Sequence, residues 1–426
     1  MSPDGEFSPA LNTRETSSLV AEQRDVHGDS RDVLQAATDI PATSSWRQWY
    51  LALKSILPIY VAVHVAFFIT TVFSVLFILP DFSTRSMPLI TLGQVWDRWD
   101  TKGYLAIAMH GYDTRPKIAF FPLYPLLIKC VMVVIHNSLL AGVIVSNLAG
   151  LVLFVVFYRL VEEDFDSIRA YRTILYLSLF PTAFFLAAAY TESLFLCLSV
   201  LTFYSLRRGH WWLAGIFGAS ACLTRSAGIL LLLPFVYEYL RQHRFSINAI
   251  RFGILSSLLI PAALGLFALY CYFRFHDPLA FSHAPQVFWG RQLHVPGYGM
   301  LLSLKSILHS PGILSFQALR NIIDLGAGIF ILLLIVLSFF GPWKIPQHLW
   351  AYTIYAVALY LFLQLFPLNN SFPLEANARY MLEVFPAFIV LAGLGKNRML
   401  NMNYLLASGT LLFFLLAQFL TGHWVT

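Results

Sequence analysis

The chain has 426 residues, of which 58% are hydrophobic and only 12% carry a charge. Ordinary soluble domains are about 45–50% apolar and about 25% charged, so this composition excludes a soluble enzyme and a disordered protein. The mean hydropathy is +0.68, and several apolar stretches approach or exceed the roughly 20 residues that cross a bilayer as a helix. The sequence therefore predicts an all-α membrane protein that crosses the bilayer many times.

The N-terminal segment differs from the rest of the chain in charge and composition. Residues 1–45 hold eight acidic and three basic side chains, a net charge of −5, whereas the remaining residues carry +11. This segment is polar, rich in Ser and Thr and poor in aromatic residues, so it cannot bury enough apolar surface to fold alone. We predict a disordered cytoplasmic tail over 1–45 and a single transmembrane domain over 46–426.

Apolar segments of the body predict about 11 transmembrane helices. The predicted spans are 55–79, 138–158, 173–190, 192–206, 211–224, 226–240, 252–273, 321–341, 348–366, 380–395 and 402–420. The segment 120–136 is also apolar, but two prolines near its start do not fit a regular helix. We expect this segment to be re-entrant or interfacial.

Positive charges in the short loops predict the orientation of the helices. With the N-terminus in the cytoplasm, Lys or Arg occurs in every predicted cytoplasmic connection, namely 159–172, 207–210, 241–251, 342–347 and 396–401. The outer side then receives loops at about 80–137, 274–320 and 367–379. No long basic run or RNA-binding motif is present. The positive charge is explained by topology and by anionic membrane lipids, and no nucleic acid partner is expected.

The first outer loop contains the densest group of candidate residues. Two Trp-Asp pairs, Trp96-Asp97 and Trp99-Asp100, are followed by Tyr104. On a helix, residues three positions apart share a face, so both carboxylates would point to the same side. A carboxylate beside aromatic rings could act as a general base, and Trp rings are common surfaces for stacking sugars. An aromatic belt with interfacial charges would explain the same pattern.

Other candidates occur at predicted membrane boundaries on the outer side. Glu192 is an ionisable group at such a boundary, where it is costly unless it has a function or caps a helix. Arg225 lies between two short apolar segments and needs an anionic partner, which could be a lipid phosphate or Glu192. Arg379, beside Tyr380, could hold an anion or extend its charge towards water. Tyr124 could line a site, although its flanking prolines could equally mark a structural corner.

The second outer loop contains two further pairs. His276 and Asp277 could contact substrate, and they could bind a metal only if a third ligand were present, which the spacing does not suggest. We therefore expect no metal. Arg291 beside Trp289 is typical of a contact to phosphate or sugar. The sequence has no P-loop, GxSxG or HExxH motif, so we expect no cytosolic nucleotide site.

Several of these segments resemble a known family. The run WDTKGYLAIAMHGY at 99–112 and the run AFFPLYPLLI at 119–128 resemble the signature of the PIG-V family of GPI mannosyltransferases and its prokaryotic relatives. TESLF at 191–195 resembles a second family segment, while WGR at 289–291 and ARY at 378–380 resemble related bacterial membrane glycosyltransferases. The resemblance implies a GT-C glycosyltransferase fold and transfer of mannose, with inversion, from polyprenyl (dolichyl) phosphate mannose to a lipid-linked or glycan hydroxyl.

The resemblance also implies roles for individual residues. The Trp-Asp of the family signature falls on Trp99 and Asp100, so Asp100 is expected to be the general base, with Asp97 as its neighbour or substitute. The leaving polyprenyl phosphate needs positive partners, for which Arg379, Arg291 and Arg225 are the candidates. No cofactor is expected, because the lipid-phosphate sugar is itself a substrate.

The sequence leaves alternatives open for the compartment and for the substrates. The segments HDPLAF and WGR look bacterial and favour a plasma membrane with the site on its outer face; a eukaryotic chain would lie in the ER membrane. A bacterial enzyme would not use a GPI precursor as acceptor. The sugar could also be arabinose, glucose or aminoarabinose. A transporter of lipid-linked sugars would share the composition, but it would need charges along a path across the membrane rather than on one face.

Overall fold

The computed structural model describes residues 45–78, 89–246, 251–423 and 425. The chain divides into two units, Met1–Leu51 and Ala52–Thr426. Only 45–51 of the first unit belong to the described part. The predicted acidic tail therefore lies, except for its last residue, outside the described residues, and its disorder stays a prediction.

The described residues form helices that are joined mostly by short turns. The α-helices are α1 (Ser45–Ile78), α2 (Leu89–Gln94), α3 (Asp100–His110), α4 (Leu123–Ile135), α5 (Ser138–Asp164), α6 (Ser167–Ser178), α7 (Glu192–Arg207), α8 (Trp211–Cys222), α9 (Leu232–Gln242), α10 (Leu259–Phe275), α11 (Ala280–Trp289), α12 (Tyr298–Leu308), α13 (Phe316–Leu337), α14 (Trp350–Leu363), α15 (Asn377–Met381), α16 (Phe385–Leu394) and α17 (Arg398–Leu420). Short 3₁₀ helices occur at Arg115–Ala119, Ala183–Leu186, Ser226–Leu231, Phe252–Leu258, Gly341–Trp343 and Gln347–Leu349.

Five helices in the described ranges are long and apolar enough to cross a membrane. They are Trp46–Phe77, Ser138–Asp164, Phe252–Phe275, Phe316–Leu337 and Arg398–Leu420. The prediction of an all-α membrane protein is confirmed, whereas the predicted count of about 11 spans is not. The segment predicted as one span at 173–190 is interrupted, because α6 ends at Ser178 and Pro181 follows, which disfavours continuing a helix through this point.

The helix α4 is short and begins among prolines. It has 13 residues, which corresponds to about 20 Å along its axis, less than the roughly 30 Å of the hydrocarbon core. Pro122 precedes its first residue, and Pro125 lies in its first turn, where a missing backbone N–H leaves no hydrogen bond unmade. The length of α4 agrees with the prediction that 120–136 does not cross the bilayer as a full span.

Small residues on α5 allow a close approach to the segment that precedes α7. A Cβ atom built on Gly142 would lie 2.9 Å from the Cβ of Ala189, which is closer than such atoms approach. Nearby, Ser146 donates a hydrogen bond to the backbone oxygen of Tyr190 at 2.9 Å. Such small-residue contacts are the usual means by which helices pack within a membrane. They fix the start of α7, at Glu192, in the interior of the protein.

A buried ionic cluster joins α5, α7 and α9 at the end predicted to be cytoplasmic. Arg207 pairs with Asp164 at 2.7 Å and with Glu238 at 3.1 Å, and Arg241 pairs with Glu238 at 2.6 Å. Tyr352 of α14 donates a hydrogen bond to Asp164 at 2.6 Å. The cluster connects four helices and contributes no residue to the cavity described below.

Removal of the buried carboxylate from this cluster should destabilise the protein. Glu238→Leu leaves Arg241 and part of Arg207 without their anionic partner, and breaking a buried ion pair in this way costs about 3–5 kcal/mol. We expect a clearly lower melting temperature of the purified protein in detergent. As a control, Asp113→Asn removes one partner of the exposed pair with Lys117 and should leave the melting temperature nearly unchanged. Equal melting temperatures for the two variants would contradict a stabilising role for the cluster.

Candidate active site

The helix α3 begins at Asp100, so the first Trp-Asp pair lies before the helix and only Asp100 of the two carboxylates is part of it. Trp99 precedes the helix with a positive φ of 48°, so the chain turns sharply between Asp97 and Asp100. The expectation that both carboxylates share one helical face is therefore wrong. Trp96 packs against the rings of Phe67 and Phe419, and neither Asp97 nor Trp96 lines the cavity that Asp100 enters.

Asp100 opens onto a cavity of about 330 Å³. Its side chain is 26% exposed, so one face of the carboxylate is accessible from the cavity. Segments distant in sequence meet here: α3, the 3₁₀ helices near 115–119 and 226–231, α11, and the stretch 368–380. The lining residues that carry charge or rings are Asp100, Tyr104, Phe120, Phe121, Arg225, Trp289, Arg291, Glu375, Arg379 and Tyr380.

Ion pairs connect the carboxylate of Asp100 to the protein interior. Arg379 Nη1 lies 2.8 Å from Asp100 Oδ2, and Arg379 Nε lies 3.2 Å from Glu192 Oε1. Arg225 Nη1 is 3.0 Å from Glu192 Oε1 and also 3.0 Å from Glu383 Oε1, although the approach to Glu383 is not aligned for a hydrogen bond. Glu192 and Glu383 are fully buried. Of the two anionic partners that the sequence allowed for Arg225, a lipid phosphate or Glu192, the structure shows Glu192.

The side chain of Arg379 keeps its charge in this setting. Burial would lower its pKa, but the carboxylates of Asp100 and Glu192 raise the pKa well above its ordinary value. An arginine is also effectively always protonated. The carboxylate of Asp100 therefore faces a permanent positive charge at 2.8 Å.

Three guanidinium groups surround the ring of Tyr380. The Cζ atoms of Arg225, Arg291 and Arg379 lie 5.2, 5.7 and 5.2 Å from its centroid. An aromatic face attracts each cation, yet three like charges repel one another at this spacing. A bound anion would relieve the repulsion, so the arrangement suits a phosphate group.

Arg291 is held by neutral groups. Its Nη1 and Nη2 atoms each donate a hydrogen bond at 3.0 Å, to the backbone oxygens of Phe366 and Glu375, and its backbone forms an isolated antiparallel bridge with Leu368. The carbonyl oxygens orient the guanidinium without cancelling its charge. The observed hydrogen bonds of Arg291 therefore go to neutral acceptors, and its positive charge can interact with a ligand in the cavity.

Aromatic rings form one wall of the cavity. The ring of Tyr104 lies edge-on to Phe120, with centroids 4.9 Å apart, and Phe120 lies edge-on to Trp289 at 6.1 Å. Burial, supported by the charge of Asp100, raises the pKa of Tyr104, so its hydroxyl stays neutral and is not a general base near pH 7. Such a wall offers faces on which a sugar or an isoprenoid can pack.

Tyr124 lies behind this wall and does not line the cavity. Its ring packs edge-on to Tyr104 at 5.1 Å, and its hydroxyl hydrogen-bonds Ser146 at 2.7 Å and the backbone oxygen of Gly142 at 3.0 Å. Both partners belong to α5. Tyr124 therefore ties α4 to α5 and supports the aromatic wall from outside the site.

His276 and Asp277 also lie away from the lining of the cavity. Asp277 accepts hydrogen bonds from His283 at 2.8 Å and from the backbone N–H of Leu279 at 3.0 Å. The bond from His283 lowers the pKa of Asp277. Across the described ranges, no group of three or more His, Cys, Asp or Glu side chains is arranged to hold a metal ion.

Some of the predicted site residues line the cavity, and others do not. The predicted residues that line the cavity are Asp100, Tyr104, Arg225, Trp289, Arg291, Arg379 and Tyr380, with Glu192 directly behind them. Trp99, Trp96, Asp97, Tyr124, His276 and Asp277 are not among its lining residues. The sequence analysis missed Glu383 as a site residue. Its position one helical turn after Arg379 and Tyr380, in an otherwise apolar run, was the available signal.

The spans and the cavity define an integral membrane protein in which two carboxylates, Asp100 and Glu375, and three arginines line one cavity. The family profile described as "Mannosyltransferase (PIG-V)" matches residues 86–338, which is more than half of the chain. The chain belongs to this family of mannosyltransferases. The matched range includes Asp100, Glu192, Arg225 and Arg291, whereas Arg379 lies beyond it.

Individual relatives match over shorter stretches. GPI mannosyltransferase 2 of Yarrowia lipolytica is 38% identical over 98 residues, covering 23% of this chain and 28% of that protein. GPI alpha-1,6-mannosyltransferase 2 of Mus musculus is 27% identical over 214 residues, covering 44% of this chain and 43% of that protein. The matched region spans less than half the length of either relative.

Two solved structures are among those that resemble this chain. ArnT from Cupriavidus metallidurans, bound to undecaprenyl phosphate, is 16% identical with a TM-score of 0.46, over 72% of this chain and 59% of that chain. The Archaeoglobus fulgidus oligosaccharyltransferase in its apo form is 14% identical with a TM-score of 0.41, over 86% of this chain and 56% of that chain.

Proposed function

We propose that this protein is an inverting GT-C mannosyltransferase that uses polyprenyl (dolichyl) phosphate mannose as donor and Asp100 as general base. The observation that carries the proposal is the pairing of Asp100 with Arg379 at the wall of a cavity shared by three arginines. Membership of a mannosyltransferase family supports the choice of sugar. The cavity combines the two groups that the reaction needs, a proton acceptor and a cationic site for phosphate.

In the proposed reaction, the carboxylate of Asp100 takes the proton of the acceptor hydroxyl. The hydroxyl oxygen attacks the anomeric carbon of mannose on the side opposite the phosphate, and the bond between that carbon and the phosphate oxygen breaks. The transition state carries oxocarbenium character, as in glycoside hydrolysis. A single displacement of this kind inverts the anomeric configuration.

The polyprenyl phosphate leaves with the electron pair of the broken bond. We assign its stabilisation to Arg291, Arg379 and Arg225, whose guanidinium groups surround Tyr380. Charge-assisted hydrogen bonds from arginine to phosphate are among the strongest in proteins. Because the three arginines meet the charge of the leaving group, the proposal requires no metal, and transfer should continue in excess EDTA.

The lipid substrates and the compartment follow from the membrane setting. The isoprenoid of the donor would lie among the apolar helices, with its phosphate at the arginines, and the acceptor hydroxyl would approach Asp100. Because the curated relatives are named GPI mannosyltransferases, a GPI precursor glycolipid is the first acceptor to test, beside a polyprenyl-linked glycan. The site would face the ER lumen in a eukaryote and the outer side of the plasma membrane in a bacterium.

The test is transfer of labelled mannose by the purified protein in detergent. We expect a mannosylated acceptor to form from dolichyl phosphate mannose, with release of dolichyl phosphate. Parallel reactions with polyprenyl phosphate glucose, arabinose and aminoarabinose separate the rival transferases. Movement of a labelled lipid-linked sugar across proteoliposomes, without formation of any product, would replace the proposal with a transporter.

A further inference from the structure

A stripe of polar residues interrupts the apolar helix α13. Gln317, Asn321 and Asp324 recur at helical spacing, and Gly328 continues the same face. Asn321 and Asp324 are 2% exposed. Carboxylates buried in a membrane-spanning helix are costly and rare, so Asp324 requires a strong local partner.

The partner of Asp324 is the backbone of α15. Its Oδ1 accepts a hydrogen bond from the N–H of Ala378 at 2.8 Å. Ala378 directly precedes Arg379 and Tyr380, the residues that α15 presents to the cavity. Ala376, just before α15, has a positive φ of 71°. The backbone is strained at Ala376, and α15 is too short to hold this conformation by its own hydrogen bonds. Contacts from other segments must therefore fix the orientation of α15.

A second contact fixes the same turn. Asn377 Nδ2 donates to the backbone oxygen of Asp324 at 2.8 Å, and Asn377 Oδ1 accepts from Nε2 of Gln364, the residue after α14, at 3.0 Å. A Cβ atom on Gly328 would lie 2.8 Å from Asn377 Nδ2. The glycine therefore permits α13 and α15 to approach closely, and the two helices are joined by two hydrogen bonds that α15 donates and Asp324 accepts.

We propose that Asp324 is a positioning residue that holds the first turn of α15, so that Arg379 and Tyr380 are preorganised for the phosphate of the donor. The inference rests on the proposed function for the identity of that ligand. Asp324 itself does not line the cavity, so it acts through Ala378 and Asn377. Preorganised charges stabilise a reacting group without the cost of reorganising during the reaction.

The experiment compares Asp324→Leu with Asp324→Asn in the full-length protein. The leucine removes the acceptor for the Ala378 N–H, while the asparagine keeps an oxygen in the same place. We expect Asp324→Leu to raise the KM for dolichyl phosphate mannose about tenfold, because the turn that carries Arg379 loses a hydrogen bond that held it in place, and to change the acceptor KM less than twofold. Asp324→Asn should restore the donor KM.

A second measurement needs neither substrate. Phenylglyoxal modifies accessible arginines, and mass spectrometry of peptides reports the rate at each site. Arg379 is paired and 7% exposed, so it should react slowly in the wild type and at least threefold faster in Asp324→Leu, with Arg291 unchanged. Asn377→Ala provides the same test if the leucine variant does not fold.

The matched control is Asp166→Ala. Asp166 caps α6 by accepting from the N–H of Arg169 at 2.7 Å, far along the chain from the cavity residues, so its loss should affect neither the donor KM nor the reactivity of Arg379. Folded Asp324→Leu and Asn377→Ala proteins with wild-type reactivity and donor KM would overturn the inference. Faster modification of Arg379, in a protein whose wild type transfers no mannose, would support the positioning role and reject the proposed function.

Discussion

Asp100→Asn is expected to lower the rate of mannosyl transfer by about 10²–10⁴-fold, the usual contribution of a general base. Asparagine keeps the shape of the side chain and can still accept a hydrogen bond from Arg379, but it cannot take the proton of the acceptor hydroxyl. The loss should therefore appear in kcat, with little change in the donor KM. Initial rates with labelled dolichyl phosphate mannose measure both constants.

Asp97→Asn is the matched control for this variant. The same substitution is made three residues away, in the same loop, on a carboxylate that does not line the cavity. We expect it to keep most of the wild-type rate. Near-wild-type transfer by Asp100→Asn would remove Asp100 from the role of base, and a large loss confined to Asp97→Asn would give that role to Asp97.

Arg379→Gln should have the second large effect, because Arg379 contacts both the proposed base, Asp100, and the buried carboxylate of Glu192. Its removal leaves both carboxylates without one cationic partner and takes one of three charges from the proposed phosphate site. Loss of one member of a buried ion pair alone costs about 3–5 kcal/mol. We expect kcat/KM for the donor to fall at least 10²-fold, together with a lower melting temperature.

Arg379→Lys separates charge from geometry. Lysine keeps the positive charge but lacks the planar fork that lets Arg379 contact Asp100 and Glu192 at once. Stability should recover more than the donor kcat/KM does. The control Arg208→Lys changes an exposed arginine that pairs with Glu163 and should alter neither value. Wild-type kinetics for Arg379→Lys would show that only its charge matters.

Local features of this protein could be predicted from its sequence, whereas its long-range contacts could not. The Trp99-Asp100 motif identified the acid at the cavity, and the isolated Arg225 required an anionic partner that proved to include Glu192. The same reasoning grouped Asp97 with Asp100. It could not know that Trp99 adopts a positive φ, since a bulky side chain gives no signal for that conformation.

The number of membrane spans shows the same limit of prediction from sequence. Composition was enough to predict an all-α membrane protein, because every segment that crosses a membrane must be largely apolar. It did not predict that the segment 173–190 would break near Pro181, where α6 ends at Ser178. Helix ends depend on local turns and on neighbouring helices, which hydropathy does not record.

The sequence by itself determined that this protein lies in a membrane, because its helices are apolar. It also determined which residue types are available for a site, namely a small number of acids and the arginines near the ends of the helices. What only the tertiary structure decided is which of these groups meet. Asp100 and Arg379 are 279 positions apart, and Asp324 reaches the backbone of α15 from 54 positions away. Such contacts arise from helix packing, where small residues and buried hydrogen bonds fix the geometry, so neither spacing nor composition could reveal them.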